Sequence, residues 1–188
     1  MTIPNILTLL RLLMLPLLFV VFYWDFQYHY LAATIIFIFI GFTDFLDGYL
    51  ARKLNQFSPF GAFMDPVADK IAVAMCYILI TELYQNPWVT ACVIVIIGRE
   101  IAISALREWM ASQGKSEKIA VANIGKWKTF FQMFTIGAMF LAAEHFHIYW
   151  DYLAYGSLII ATGLTLISMI HYFQQAWQQL ELGSKAQI

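Results

Sequence analysis

Residues 44–70 read DFLDGYLARKLNQFSPFGAFMDPVADK. Four aspartates, Asp44, Asp47, Asp65 and Asp69, flank a polar patch from Arg52 to Ser58 that only Leu54 and Phe57 interrupt. Helical positions three or four apart share a face, so Asp44, Asp47, Gly48 and Ala51 fall on one stripe. Gly61, Asp65 and Asp69 fall on another. Folding the chain back at 53–60 turns the two stripes toward each other. Four carboxylates then converge, and beside hydrocarbon they cannot stay ionised without a counter-charge. Two divalent cations would supply it, and an all-oxygen ligand set suits Mg²⁺ or Mn²⁺. Gly48, Ala51 and Gly61 leave room for a bulky ligand near the backbone, and Arg52 offers a planar guanidinium to a phosphate. A plainer reading makes Asp65 a helix cap, with Pro66 in the first turn. It leaves the other three aspartates, the glycines and the arginine unexplained.

Long apolar runs lie on both sides of this stretch. Of 188 residues, 61% are hydrophobic and 12% charged, which excludes an ordinary soluble protein and points to a lipid bilayer. A net charge of −1 gives no sign of a nucleic-acid partner. The two cysteines, Cys76 and Cys92, sit inside apolar runs, with neither disulfide nor zinc spacing. No removable signal peptide is read at the N-terminus, so the first apolar segment is expected to remain as a span.

The expected fold is all-α: one domain over 1–188, with six transmembrane helices and a cytoplasm-facing di-metal cavity. The spans fall at about 2–23, 31–51, 61–83, 88–106, 129–143 and 152–170, followed by a short polar tail. Pro16 is expected to kink the first. Several are shorter than the ~20 residues that cross hydrocarbon, so their polar ends are expected to line a wet cavity. Under this plan all eleven Lys and Arg lie on one side, and the opposite loops carry Trp24, Tyr28, Tyr30, Trp88 and Trp150. The positive-inside rule then places both termini and the aspartates in the cytoplasm. Asn5, Thr8 and Arg11 advance by three along the first span. They are either interfacial residues at the helix entry or cavity-facing groups that help bind a nucleotide.

The spacing Asp44-x2-Asp47-Gly48-x2-Ala51-Arg52-x8-Gly61-x3-Asp65-x3-Asp69 resembles the signature of the CDP-alcohol phosphotransferase family, without departures. The resemblance implies attack of an alcohol on the β-phosphorus of a CDP-linked donor, with release of CMP. It implies that Asp44, Asp47 and Asp65 are the main ligands of two Mg²⁺ or Mn²⁺. Asp69 would be the general base, with some contact to the second metal. Gly48, Ala51, Arg52, Ser58 and Gly61, with Asn5 and Thr8, would face the CDP donor. The apolar spans suit acyl chains, so the donor is expected to be CDP-diacylglycerol. The family also implies a homodimer; Val73–Ile80 and Val89–Ile97 are candidate faces.

Arg99 lies eight residues inside Arg107, about 12 Å along a helix. A buried arginine there needs an anion. Glu100 is adjacent in sequence but points about 100° away, and Asp44 or Asp47 across the bundle is an alternative. The sharper reading gives Arg99 and Arg107, with Lys126 or Lys128, the phosphate of an acceptor alcohol, which suggests glycerol 3-phosphate. NILTLLR, FGAFMDPVADK, GREIAISALREWMA and IGKWKT extend the resemblance, toward bacterial members of the family, from residue 4 to about 132. The bacterial plasma membrane is the expected location. His29, His145 and His147 read as interfacial residues, and His171 has no assigned role. The competing functions keep the donor but take inositol phosphate, serine or phosphatidylglycerol as acceptor, or make the chain a Mg²⁺ transporter.

Overall fold

The structure, a computed structural model, describes residues 3–54, 59–112, 123–144 and 147–185. Side chains are described for these except at 3–5, 51–52, 54, 59–60, 62, 123–126 and 178–185. The described residues form six helices and no strand: α1 (Ile3–Tyr23), α2 (His29–Leu54), α3 (Pro59–Tyr84), α4 (Pro87–Ser112), α5 (Asn123–Ala143) and α6 (Ile148–Lys185). Every expected span is a helix, and most run past the apolar stretch that announced them. The extra turns lie at polar ends such as 107–112 and 171–185, where hydropathy falls but nothing breaks a helix. Residues 171–185, expected as a polar tail, therefore continue α6.

Short connections are built from local chemistry. Asn86 Oδ1 accepts from the Trp88 N–H at 2.9 Å, and Pro87 takes the first helical position of α4, where a missing N–H costs nothing. Glu144, at the end of α5, accepts the otherwise orphaned N–H of Leu31 at 2.9 Å. Tyr28 and Gln85 take left-handed backbone, φ 67° and 43°, where the chain turns before α2 and α4.

The chain divides into two compact units. The first contains Met1–Leu83 and Ile136–Ala154. In α1 the buried positions Thr8, Arg11, Leu15, Leu18 and Phe22 follow alternating steps of three and four, one face of a helix. That face packs against α2, whose Ala33, Phe37, Ile40, Thr43 and Asp47 are buried in the same rhythm. Ala68, Ala72, Cys76, Leu79 and Ile80 continue this core from α3, and Phe140 of α5 lies 5.6 Å from the Phe22 ring. The second unit contains Tyr84–Thr135 and Tyr155–Ile188. Its core takes Val89, Val93, Ile96, Arg99 and Ile103 from α4 and Leu158, Ala161, Thr165, Ser168 and Tyr172 from α6.

The opposite helix faces are apolar as well. Leu13, Ile38, Ile94 and Ile159 are all more than 60% exposed, on surfaces that a soluble protein would not offer to water. Four helices are long and apolar enough to cross a membrane among the described residues: Ile6–Tyr23, His29–Leu50, Pro87–Ser112 and Ile148–Trp177. Helix α3 differs because Asp65, Asp69, Lys70 and Glu82 interrupt its apolar sequence. The protein is an all-helical membrane protein.

Candidate active site

Three helices of the first unit bring the aspartates together. Asp44 and Asp47 lie one turn apart on α2, and Asp65 and Asp69 one turn apart on α3. Between them stands a residue of α1. Arg11 Nη2 forms an ion pair with Asp44 Oδ1 at 2.8 Å and donates to Asp47 Oδ2 at 2.5 Å, and Nη1 donates to Asp69 Oδ1. One turn earlier on the same face, Thr8 Oγ1 donates to Asp65 Oδ1 at 2.7 Å. All four carboxylates are thus tied to two neighbouring side chains of α1.

Burial gives the cluster a closed side and an open side. Arg11 is fully buried and Asp47 is 4% exposed, while the side chains of Asp44 and Asp69 are 41% and 48% exposed. A ligand can reach the outer carboxylates without unpacking the inner ones. Arg11 offsets one of four formal negative charges, so the cluster keeps a strong demand for cations. Its donor atoms are hard oxygens, which fits Mg²⁺ or Mn²⁺ by chemistry. As placed, three of the carboxylates gather on the guanidinium; among the described residues no group of three acidic, imidazole or thiol side chains is arranged around a common metal position.

Helix α3 begins at Pro59, so Asp65 lies inside it and Pro66 is an internal residue. Asp65 is therefore no helix cap, and its partner is Thr8 across the helix pair. Gly48 is half-buried and Gly61 buried. Ser58 lies outside the described residues, and the side chains of Asn5, Ala51, Arg52 and Lys126 lie outside the described side chains.

The second unit gathers the other predicted residues. Arg99 Nη1 lies 3.4 Å from Glu100 Oε1, a long contact for a salt bridge between sequence neighbours. Lys128 Nζ pairs with the same oxygen. Arg99 Nη2 donates to Ser168 Oγ at 3.0 Å, and Arg107 Nη2 donates to Tyr172 Oη at 2.6 Å. The Tyr172 ring lies under both guanidinium groups, 5.3 Å from Arg99 and 5.0 Å from Arg107. The cluster thus sets three cations against one carboxylate, an arrangement with positive charge to spare for an anion. The Arg99 Nε is buried and has no hydrogen-bond partner.

Sequence reasoning named Arg99, Arg107 and Lys128 but omitted Ser168 and Tyr172, because the last part of the chain carries no recognised motif. It counts Arg11 among the cavity-facing alternatives and leaves it out of the site. The signal for Arg11 is being the one charge in the first 24 residues, three positions from Thr8. The described histidines stay apart from both clusters: His29 Nδ1 faces the Phe22 carbonyl at 3.0 Å, His147 stacks on Tyr149, and His171 is exposed.

Apolar helices carrying this paired aspartate motif define a class of membrane-embedded transferases. The chain belongs to the CDP-alcohol phosphatidyltransferase family, whose model matches residues 1–172. Among curated proteins it is 44% identical to the CDP-diacylglycerol–glycerol-3-phosphate 3-phosphatidyltransferase of Pseudomonas fluorescens, over 100% of this chain and 96% of that protein. The enzyme of the same name from Haemophilus influenzae is 45% identical over 93% of this chain and 92% of its own length. That from Wigglesworthia glossinidia brevipalpis is 44% identical over 96% and 97%.

Proposed function

We propose that the protein transfers the phosphatidyl group of CDP-diacylglycerol to sn-glycerol 3-phosphate, giving phosphatidylglycerol phosphate and CMP. The observation that carries this is the convergence of Asp44, Asp47 and Asp69 on one side chain, with Asp65 held beside it, in a chain similar end to end to enzymes of that name. The Mg²⁺-transporter reading lacks this support, since the four aspartates gather at Arg11 and Thr8 in one compact cluster.

Asp44, Asp47, Asp65 and Asp69 would hold two Mg²⁺ or Mn²⁺, which when bound supply positive charge to the diphosphate oxygens as charge develops in phosphoryl transfer. The half-exposed carboxylate of Asp69 is assigned the proton of the attacking hydroxyl. An ordinary aspartate, with a reference pKa of about 3.9, is a weak base, so its contribution depends on being held against that hydroxyl. Arg52, Ser58, Asn5 and Thr8, with the small residues Gly48, Ala51 and Gly61, are assigned to the CDP moiety. Arg99, Arg107 and Lys128, together with Lys126, are assigned to the phosphate of the acceptor, which a guanidinium grips through two parallel N–H bonds.

The remaining expectations join this proposal. The two units act as one catalytic domain, consistent with a family model that runs through both. Six helices span the bacterial plasma membrane, with termini and aspartates cytoplasmic by the distribution of Lys and Arg. Two copies form a homodimer. The test is CMP release from CDP-diacylglycerol by the purified protein in lipid nanodiscs, with Asp65→Asn as control. Release that requires glycerol 3-phosphate and a divalent cation, and is lost in Asp65→Asn, supports the proposal. Metal uptake into proteoliposomes without CMP formation would replace it with the transporter.

A further inference from the structure

Arg11 has a role beyond the assignments above. Its guanidinium is a permanent charge, because arginine does not lose its proton inside proteins. Fully buried, it touches three of the four carboxylates and spans α2 and α3 with its two Nη groups. Divalent cations would need some of the same oxygen atoms. The Nε has no partner, so the head group is held by its Nη contacts alone and can yield them without breaking further hydrogen bonds.

We propose that Arg11 is the internal counter-ion of the aspartate cluster, competing with divalent cations for the same carboxylate oxygens and so setting how tightly the site holds metal. The proposal rests on the reading of the aspartates as metal ligands. Two consequences follow. Without metal, Arg11 keeps four neighbouring carboxylates from driving α1, α2 and α3 apart, so the folded protein survives metal depletion. With metal, the guanidinium opposes binding, so cations are held less tightly than four aspartates alone would hold them. Arg11 is thus a positioning residue, acting on the ligands and not on the reacting atoms. Thr8 acts separately, since its hydroxyl fixes Asp65, the carboxylate Arg11 does not reach.

The experiment uses full-length protein in detergent and nanodiscs. Free Mn²⁺ is titrated by electron paramagnetic resonance, and thermal unfolding is followed in chelator and in saturating Mn²⁺. Arg11→Gln keeps much of the side-chain volume and removes the charge. It is expected to unfold at lower temperature in chelator and to regain that loss in Mn²⁺. Its Mn²⁺ affinity is expected to rise at least about tenfold, because a unit positive charge leaves the ligand oxygens of a partly buried site. Mn²⁺ binding by wild type with equal or weaker binding by Arg11→Gln overturns the proposal and leaves the metal reading standing. No Mn²⁺ binding by wild type overturns both. Should Arg11→Gln fail to fold, Arg11→Lys decides: it keeps the charge, but an ammonium cannot span the contacts of both Nη groups, so Mn²⁺ should bind at least as tightly as in wild type, and weaker binding overturns the proposal.

Discussion

Tyr172 offers the sharpest test of the proposal that the basic cluster of the second unit binds the acceptor. Its hydroxyl accepts from Arg107 at 2.6 Å, and its ring lies under Arg99 and Arg107 at 5.3 and 5.0 Å. Tyr172→Phe removes the hydroxyl and keeps the ring; Tyr172→Leu removes both. A hydrogen bond to a charged group contributes about 1.5–3 kcal/mol, and the exposure of Arg107 puts this one at the lower end. At about 1.4 kcal/mol per factor of ten, Tyr172→Phe should raise the KM for glycerol 3-phosphate by up to roughly tenfold. Each cation–π contact adds about 0.5–2 kcal/mol, more where the guanidinium is desolvated as in Arg99, so Tyr172→Leu should cost roughly another tenfold. The assay is CMP release at saturating CDP-diacylglycerol over a range of glycerol 3-phosphate, repeated with the donor varied. The donor KM should hold within about twofold, the scatter of such assays being well below a tenfold effect. An unchanged acceptor KM in Tyr172→Leu, or a raised donor KM in both variants, would refute the assignment of this cluster to the acceptor.

Other predictions follow from the first unit and from the basic cluster. Asp69→Asn should lower turnover by about 10²–10⁴, the usual range for a lost general base, while CDP-diacylglycerol binding persists; donor affinity lost as severely as in Asp65→Asn would make Asp69 chiefly a ligand. Thr8→Val preserves shape but removes the donor to Asp65, so stability in chelator should fall by about 1–3 kcal/mol in denaturant titrations. Arg99→Ala should raise the acceptor KM strongly with little effect on the donor, and Arg99→Lys should recover only part of it, because ammonium lacks the fork. Cross-linking in native membranes should trap a dimer, and a purely monomeric pattern would reject the proposed homodimer.

The helices were legible in the sequence because an apolar run long enough to span hydrocarbon admits few alternatives. Their ends were less so: nothing in residues 107–112 or 171–185 forbids a helix, and hydropathy alone stops short of them. The aspartate motif was legible because two helical stripes at spacings of three and four leave little freedom in where carboxylates point. Asp65 misled in part, since an Asp-Pro pair reads as a helix start wherever the true start is hidden upstream at Pro59. The partners were not legible. Arg11 meets aspartates 33, 36 and 58 residues away, and Ser168 meets Arg99 across 69 residues. Such pairings are set by which helices pack together, and one sequence records helix faces without recording which face meets which.

The central claim is that this cluster carries out phosphatidyl transfer to glycerol 3-phosphate in particular. Purified protein in nanodiscs, given CDP-diacylglycerol and Mg²⁺, can be offered glycerol 3-phosphate, inositol phosphate, serine and phosphatidylglycerol separately, with CMP and the lipid product measured together. The expected result is CMP and phosphatidylglycerol phosphate in equal amounts with glycerol 3-phosphate, and CMP near background with the other three. Efficient CMP release with another acceptor, and none with glycerol 3-phosphate, would contradict the claim.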